Sequence, residues 1–459
     1  MRKQFYIIAL LAIVLWACGC EKKPQEPQPG EEADLSLITQ SVPVTDNWIW
    51  SGKPQITLHI ENPNKAAVKV PIVVKISTDK KVAVTEIQDS VEIAGEGTRD
   101  FVVTTTENLN PGFYRAVCFV NSKSARSFIF GIDPFQIVSA PDYQSDFVDF
   151  WQSATDQLAA VDMKAKLTEI TERSSDSRKV YLVEMMSVPD GLTGEPVLIR
   201  GYYCEPQDGQ KHPVIFHFYG YDTQGSKSKC ECPYGGNSAQ FAEFYLSHRG
   251  QYLNNRPAST KNLGIDEDCV NIYGDWFAYN FGNKDGYYYR GAFMDCVQAV
   301  RFMATRETSD MTKLFAEGSS QGGALSYACA SLSTLSGFSF TAIAPNVAFL
   351  GDFPDYFQIV GWPAETAKAN KGSMTDEQMY AFLSYFDTKN LATLIPATCG
   401  VLASSGLQDG TCPPHTNIAP FNNLKTAATN KEYVFAPEMQ HDFPAGWTTK
   451  WNNFFKDRL

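Results

Sequence analysis

Short runs of alternating apolar and polar residues occupy the part of the chain between about residues 35 and 135. Residues 56–60 and 68–74 show this period of two, and turn sequences rich in Asn, Pro and Gly separate the runs. The period is typical of half-buried strands. About seven short strands in about 100 residues predict a small all-β sandwich of immunoglobulin-like type at residues 35–135, serving as a spacer or docking domain.

The spacing of apolar residues changes from about residue 142 onward. Phe147, Phe150, Trp151, Ala154 and Leu158 recur at helical spacing, and apolar strand-like runs then alternate with helical stretches. This alternation predicts a mostly parallel sheet flanked by helices, in an α/β domain over residues 138–459. The predicted strands are residues 180–186, 197–203, 214–219, 314–317, 340–344, 401–405 and 433–436, and the predicted helices include 290–305 and 323–332.

The first twenty residues have the pattern of a targeting signal rather than of a folded element. A charged start is followed by an apolar run of about 12 residues, which is too short to span a bilayer. The run ends Trp16-Ala17-Cys18-Gly19-Cys20, which resembles the lipobox of a bacterial lipoprotein. Small residues precede Cys20, so it is the expected lipid attachment site. The alternative, Cys18, would place the bulky Trp16 where small residues are usual.

This interpretation predicts an extracytoplasmic protein, anchored by lipid to a bacterial membrane and facing the periplasm or the cell surface. A plain cleaved secretory peptide is the alternative. Residues 21–34 are rich in Pro and Glu with almost no apolar residues, and they predict a flexible linker. The formal net charge of −12 argues against nucleic acid as a partner.

The cysteines do not have the spacing of a metal site. Eleven are present, and nine remain when Cys18 and Cys20 are set aside, so they cannot all pair. Cys230 and Cys232 with Cys269 are candidates for one bridge in an oxidising compartment. No second pair at ligand spacing accompanies Cys230 and Cys232, so no metal is expected. Three others lie in apolar contexts and are predicted to be buried free thiols: Cys118, Cys296 and Cys329.

The sequence Gly318-Ser319-Ser320-Gln321-Gly322 places a serine between two glycines, after a predicted strand and before a predicted helix. Strand, sharp turn and helix form the setting of a nucleophile elbow. The glycines allow a tight turn, and the free N–H groups of the helix start lie near the serine. The sequence therefore predicts Ser320 as a nucleophile.

A nucleophilic serine needs a base to accept its proton. The chain has six histidines, and only His415 and His441 follow Ser320, in the order that α/β-hydrolases use. His441 follows the predicted strand 433–436, so its loop would lie at the same sheet edge as Ser320. It is the expected base, with His415, expected at the solvent surface, as the alternative.

The expected acid and the expected donors to the oxyanion are also residues that lie at the carboxyl ends of predicted strands. Asp409 comes just past the predicted strand 401–405, and Asp387 and Asp442 are the alternatives. The backbone N–H of Gln321, directly after the nucleophile, is one expected donor to the oxyanion. The N–H of Tyr221, after the predicted strand 214–219, is the other.

Eight segments spread over residues 138–459 together carry a family resemblance: Phe218-Tyr219-Gly220-Tyr221, Arg249-Gly250-Gln251, Tyr287-Tyr288-Tyr289-Arg290-Gly291, Gly318 to Gly323, Phe349-Leu350 with Asp352-Phe353, Ser384-Tyr385-Phe386-Asp387, Gly406-Leu407-Gln408-Asp409 with Cys412-Pro413-Pro414, and His441. Through them the sequence resembles the acetyl xylan esterase and cephalosporin C deacetylase family of α/β-hydrolases. Tyr219 replaces the usual His of the family, and Ser319 stands where Gly is common.

The resemblance implies a serine esterase that removes O-acetyl groups from carbohydrates, without a metal or organic cofactor. Its triad maps onto Ser320, Asp409 and His441, and its oxyanion donors onto the amides of Tyr221 and Gln321. A deacetylase of small-molecule acetyl esters and a glycan-binding lipoprotein without activity are the alternatives. Cytoplasmic relatives form compact hexamers, so association of several copies is an open expectation.

Overall fold

The computed structural model describes residues 33–233, 240–253 and 271–459. The predicted signal peptide with Cys18 and Cys20, nearly all of the predicted linker, and Cys269 lie outside the described residues, so these predictions stay predictions. Within the described ranges, no helix combines the length and the apolar character that a membrane crossing requires.

The N-terminal region is a two-sheet β-sandwich. One sheet has the strand order β1-β3-β6 and the other β2-β8-β7-β4-β5. The strands are β1 Thr39–Ser41, β2 Ile49–Trp50, β3 Ile56–Asn62, β4 Val68–Thr78, β5 Ala83–Ile93, β6 Gly97–Val103, β7 Gly112–Val120 and β8 Lys123–Ile132, with 3-10 turns at Leu35–Leu37, Asp46–Trp48 and Pro134–Gln136.

Alternation of apolar residues explains why these strands form a sandwich. In β4, Val68, Val70, Ile72 and Val74 are buried and the residues between them face outward. Burying one face of each sheet against the other removes these side chains from water at roughly 25 cal/mol per Å². The alternation in the sequence therefore specifies the two-sheet layer, whereas its likeness to the immunoglobulin type stays a prediction.

The rest of the described chain forms a nine-stranded sheet with helices packed on it, in the order β17-β16-β15-β14-β12-β13-β11-β10-β9. The strands from β12 to β17 pair in parallel, and β9, β10 and β11 extend the sheet in antiparallel pairs. The strands are β9 Lys166–Glu169, β10 Arg178–Ser187, β11 Val197–Pro206, β12 His212–Phe218, β13 Ala242–Ser247, β14 Ser309–Ser319, β15 Phe340–Asn346, β16 Gly400–Gly406 and β17 Lys431–Ala436.

Helices cover the sheet, and the most central of them is α3, Gln321–Leu332. All its residues are buried, and its many Ala, Gly and Ser residues let it pack closely against β14 and β15. The helices are α1 Phe147–Ala159, α2 Tyr288–Met303, α3 Gln321–Leu332, α4 Phe353–Ile359, α5 Gly361–Asn370, α6 Asp376–Leu383, α7 Thr388–Leu391, α8 Pro414–Asn422 and α9 Trp447–Lys456, with 3-10 turns at Thr171–Arg173, Ser333–Ser336, Ala392–Leu394 and Ala428–Asn430.

The predicted fold class, a β-sandwich followed by a mostly parallel α/β sheet, is confirmed. The three thiols predicted to be buried and free, Cys118, Cys296 and Cys329, are buried and unbridged. Strands β9 and β13 were not predicted. The first is mostly polar because it lies at the sheet edge, and the second carries a buried glutamate, Glu243, that interrupts its apolar run.

The sandwich packs against the end of the sheet formed by β16 and β17. The ring of Phe135, just after β8, lies 5.8 Å from that of Phe435 and 6.2 Å from that of Tyr433. An ion pair of 2.8 Å joins Arg126 on β8 to Glu438. The sandwich therefore contacts the side of the sheet on which the predicted acid and base loops lie.

Candidate active site

Ser320 lies at the sharp turn between β14 and α3, with φ 60° and ψ −121°. A positive φ is unfavourable for a residue with a side chain and persists only where the surroundings impose it. The N–H of Ser320 donates to the carbonyl of Asn346 at 2.9 Å. A Cβ on Gly322 would lie 2.3 Å from the carbonyl oxygen of Phe218, so only glycine allows α3 to approach β12 this closely.

The side chains of Ser320, His441 and Asp409 form one continuous hydrogen-bonded chain. The hydroxyl of Ser320 lies 2.9 Å from Nε2 of His441, and Nδ1 of His441 lies 2.8 Å from Oδ2 of Asp409. Each residue follows a different strand, and the carboxyl ends of these parallel strands meet at one sheet edge. The structure thus brings together the three residues that the sequence selected, in hydrogen-bonding order.

Asp409 is held from the side opposite to His441. Its Oδ1 accepts the backbone N–H groups of Thr411 and Cys412, both at 2.8 Å, and its side chain is fully buried. These bonds fix the carboxylate so that Oδ2 faces the imidazole. Such an arrangement selects the tautomer with the proton on Nδ1 and leaves Nε2 free to accept a proton from Ser320.

The alternative acids have other contacts. Asp387 is buried, and it accepts the N–H groups of Asp352 and Phe353 at 2.8 and 3.0 Å, respectively. Burial raises the pKa of Asp387 to about 7. The carboxylate of Asp442 is exposed and accepts the N–H of Phe443 at 2.8 Å.

The alternative base, His415, is not at the solvent surface as the sequence suggested. It is 7% exposed, and its ring nitrogens lie 2.8 Å from Asp79 of the sandwich and 2.8 Å from Asp355 of α4. Burial lowers the pKa of His415, but the hydrogen bonds to the two aspartates raise it to about 9 overall. The proline-rich sequence before His415 gave no indication of partners so distant along the chain.

Asp352, Asp355 and His415 offer ligand atoms within 4.8 Å of one another. Their charges are already compensated by lysines: Lys80 lies 2.5 Å from Asp355, and Lys389 lies 2.9 Å from Asp352. Both ring nitrogens of His415 also face carboxylates. This donor set fits an ion-pair network that links the two domains better than it fits a metal ion.

The two amides expected to bind an oxyanion are those of Tyr221 and Gln321. Across residues 33–233, 240–253 and 271–459, neither N–H donates to a protein acceptor, whereas the neighbouring N–H of Gly220 donates to Ser228 at 2.7 Å. Gln321 is the first residue of α3, where N–H groups have no partner within the helix. Tyr221 lines the same cavity as Ser320.

Comparison with known proteins shows to which family this chain belongs. The model of the acetyl xylan esterase (AXE1) family matches residues 137–459. The chain belongs to the acetyl xylan esterase family. It is therefore a carboxylic ester hydrolase.

Individual relatives agree with this assignment. The acetyl esterase Axe7A of Xylanibacter ruminicola is 24% identical over 344 residues, which are 75% of this chain and 73% of that protein. The acetyl xylan esterase of Paenibacillus sp. R4 superimposes with a TM-score of 0.57 at 24% identity, covering 71% of this chain and 98% of that one. The acetyl xylan esterase 1 of Thermoanaerobacterium sp. JW/SL YS485 gives 0.53 at 22% identity, covering 71% and 97%. These structures share the α/β-hydrolase fold.

Next to Ser320 lies a buried network of polar side chains that was not expected from the sequence of this esterase. The side chain of Gln321 accepts the hydroxyl of Tyr289 at 2.8 Å and lies 2.9 Å from Nε2 of His248. Burial lowers the pKa of His248 to about 4, so the ring is neutral and its Nε2 accepts the amide of Gln321. The network fixes the first residue of α3, and with it the N–H beside Ser320.

Two of the family segments meet next to this network. The guanidinium of Arg249 forms buried hydrogen bonds of 2.9 and 2.8 Å with the carboxylate of Asp295 on α2. A Cβ on Gly291 would lie 2.1 Å from Nη1 of Arg249, so a larger residue there would displace the guanidinium from Asp295. The two segments therefore have a joint structural role.

Asn346, at the carboxyl end of β15, is a further residue that sequence reasoning missed. Its side-chain N–H group donates to Ser319 at 2.8 Å and to the carbonyl of Asp442 at 3.1 Å. Its carbonyl also accepts the N–H of Ser320. One fully buried residue thus links the serine turn to the loop of His441. A polar residue at the end of a predicted parallel strand was the available signal.

A cavity of about 750 Å³ opens beside Ser320 and His441 and extends to α9. His217 and Glu317 line one side, with a hydrogen bond of 2.7 Å between them. Burial lowers the pKa of His217, but Glu243 and Glu317 raise it to about 9 overall. Phe443 lies at the opening with 56% of its surface exposed. The hydroxyl of Ser320, the polar pair His217 and Glu317, and the exposed ring of Phe443 therefore line one cavity.

Proposed function

We propose that this esterase removes O-acetyl groups from carbohydrates with Ser320 as nucleophile, His441 as general base and Asp409 as the residue that orients the base. The observation that carries the proposal is the hydrogen-bonded chain of 2.9 and 2.8 Å from Ser320 through His441 to Asp409. This chain opens into a cavity large enough for sugar units.

The reaction then proceeds in two halves. His441 accepts the proton of Ser320 as the hydroxyl oxygen attacks the acetyl carbonyl, and the amides of Gln321 and Tyr221 stabilise the oxyanion. His441 gives this proton to the oxygen of the departing sugar, which leaves an acetyl ester on Ser320. Water, deprotonated by His441, attacks the carbonyl of that ester; the bond to Ser320 breaks, His441 returns the proton to the Ser320 oxygen, and acetate is released.

Aromatic packing next to the serine supports a short acyl group. The carbonyl of Ser320 accepts the N–H of Phe349 at 3.0 Å, and the ring of Phe349 stacks on Trp362 at 5.3 Å. Trp362 also lies 5.5 Å from the ring of Tyr221. We infer that these rings limit the length of the acyl group that can lie beside Ser320, so acetyl esters are the expected substrates.

The cavity supports a carbohydrate as the alcohol part of the ester. Exposed aromatic rings stack on the apolar faces of sugars, and Phe443 offers such a ring at the cavity opening. Lys227, Ser228 and Glu317 supply hydrogen-bonding groups along the same walls. A cavity that combines aromatic walls with hydrogen-bonding groups suits a sugar, which has apolar ring faces and polar hydroxyl groups.

The test is acetate release from acetylated xylan, from other acetylated glycans and from acetylated small molecules, with Ser320→Ala as the control. We expect acetylated glycans to be substrates and Ser320→Ala to lower kcat on p-nitrophenyl acetate by at least about 10³-fold. Near-normal turnover by Ser320→Ala would contradict the role of the serine. Activity on small acetyl esters alone would replace the carbohydrate by a small molecule as substrate.

We further propose that the mature protein is anchored to a bacterial membrane through lipid on Cys20. The lipobox-like sequence that ends at Cys20 and the Pro- and Glu-rich residues 21–34 support this location. Radiolabelled palmitate should label the protein expressed in a bacterium, and Cys20→Ala should abolish the label. Labelling that persists in Cys20→Ala and disappears in Cys18→Ala would move the site to Cys18. Association of copies stays a prediction.

A further inference from the structure

Gln408, the residue before Asp409, connects the catalytic domain to the sandwich. Its side-chain Oε1 accepts the N–H of Ile129 on β8 at 2.9 Å, and its Nε2 donates to the carbonyl of Ile129 at 3.0 Å. Nε2 also donates to the carbonyl of Pro437 at 2.8 Å, on the loop that leads to His441. One side chain therefore contacts the sandwich, the acid loop and the base loop.

The geometry of β8 explains why a carboxamide binds there. Strand β8 pairs with β7 along its length, whereas β2 pairs only with Gly131 and Ile132 on the other edge. The N–H and carbonyl of Ile129 thus face the edge that β2 leaves open. A carboxamide offers one donor and one acceptor in the same arrangement as a peptide group, so Gln408 takes the place of a neighbouring strand.

The acid and base loops are also joined to each other at this point. The backbone N–H of Gln408 donates to the carbonyl of Met439 at 3.0 Å. A Cβ on Gly406 would lie 2.3 Å from the same carbonyl oxygen, so the loops are in direct contact. The ion pair of Arg126 with Glu438 adds a second link from β8 to the base loop. A shift of β8 would therefore move both loops.

We infer that the sandwich contributes to catalysis, and that Gln408 is the positioning residue through which it keeps Asp409 and His441 at hydrogen-bonding distance. The inference rests on the proposed function, since it concerns the same hydrogen-bonded chain. Small displacements of reacting groups are costly: about 1 Å can lower a rate by about 10²-fold. Gln408 itself touches neither substrate nor serine, so its effect acts through its neighbours.

The experiment compares Gln408→Ala with a matched control, Asn422→Ala, in the full chain. Asn422 also crosses between the domains with a carboxamide, donating to the carbonyls of Pro134 and Ile137 at 3.1 and 3.0 Å. It lies at the end of α8 and has no contact with the acid and base loops in the described residues. The readouts are kcat and KM on p-nitrophenyl acetate, the melting temperature, and the rate at which diethyl p-nitrophenyl phosphate phosphorylates Ser320.

We expect Gln408→Ala to lower kcat and the phosphorylation rate by about tenfold with KM nearly unchanged, because only the activation of Ser320 is lost. Both variants should lower the melting temperature by similar amounts, because each loses hydrogen bonds between the domains. Asn422→Ala should nevertheless keep the kcat of the wild type. Wild-type kcat in Gln408→Ala, or an equal loss of kcat in both variants, would overturn the inference.

Gln408→Met decides the matter if Gln408→Ala does not fold, since Met keeps the length and packing of the side chain but not its hydrogen bonds. Loss of kcat in a folded Gln408→Met supports the inference, and full activity overturns it. An inactive wild type would instead contradict the proposed function, so the two failures are distinguishable.

Discussion

The turn at Ser320 leaves no space for a side chain on the glycines beside it. A Cβ on Gly318 would lie 2.5 Å from the carbonyl oxygen of Gly322, and one on Gly322 would lie 2.3 Å from that of Phe218. Both neighbours are backbone atoms, which cannot turn aside as a flexible side chain can. The position of Ser320 therefore depends on glycine, which has no Cβ, at both Gly318 and Gly322.

We expect Gly322→Ala to destabilise the protein by about 1–3 kcal/mol, because α3 must move away from β12. The same movement displaces Ser320 from His441, so kcat on p-nitrophenyl acetate should fall by at least about tenfold. Urea unfolding and steady-state kinetics measure the two effects. Gly410→Ala is the control, because a Cβ there meets open space, and its stability should stay within about 0.5 kcal/mol of wild type. Equal behaviour of the two variants would contradict the steric explanation.

Sequence reasoning selected Ser320, Asp409 and His441 because each follows a strand that could be predicted, and because chain order restricts the choice. It did not find Gln408, Asn346 or the partners of His415. Gln408 and Asn346 bind backbone groups of residues far away along the chain. Because almost every residue type carries the same backbone groups, the sequence does not reveal which residue is the partner. Their roles become visible only when the strands they connect are placed side by side.

At the scale of elements, strands with a continuous apolar run were predictable, whereas β9 at the sheet edge and β13 inside the sheet were not. The apolar runs of β12, β14, β15 and β16 are buried on both faces, so nearly every residue carries the signal. Strand β9 is exposed over most of its length, and β13 holds Glu243 in an ion pair of 3.2 Å with Arg178 of β10. A buried carboxylate such as Glu243 is tolerated only when it is paired with an opposite charge. Its partner Arg178 is far away along the chain, so the sequence around Glu243 gave no sign that β13 is a strand.

At the scale of the whole molecule, His415 joins the two domains by charge. Its imidazolium lies between Asp79 of the sandwich and Asp355 of the catalytic domain, and Lys80 of the sandwich pairs with Asp355 as well. The pKa of His415 is raised from 6.5 to about 9 in the folded protein, after burial has lowered it and the aspartates have raised it. A raised pKa contributes stability fully below about 6.5, and this contribution is lost as the pH rises through about 9.

We therefore expect the free energy of unfolding of the wild type to fall between pH 6.5 and about 9, by roughly 3 kcal/mol from His415. His415→Asn should be less stable than wild type at the acid end of this range and should converge with it at the alkaline end. Denaturant unfolding across the range measures the difference. His217, whose pKa is also raised to about 9, is present in both proteins and cancels in the comparison. Parallel stability curves would show that His415 does not carry this charge.

Several contacts between the domains are made to main-chain atoms. Gln408 binds the peptide group of Ile129, and Asn422 binds the carbonyls of Pro134 and Ile137. Every residue type carries a carbonyl, and every type except proline carries the N–H that Gln408 binds, so most substitutions that preserve the path of β8 and of the segment after it leave these bonds intact. Apart from residues whose side chains reach the catalytic domain, such as Asp79, Lys80, Arg126 and Phe135, the sandwich is thus free to diverge in sequence, and to acquire new surface specificities, while it continues to support the same acid and base loops.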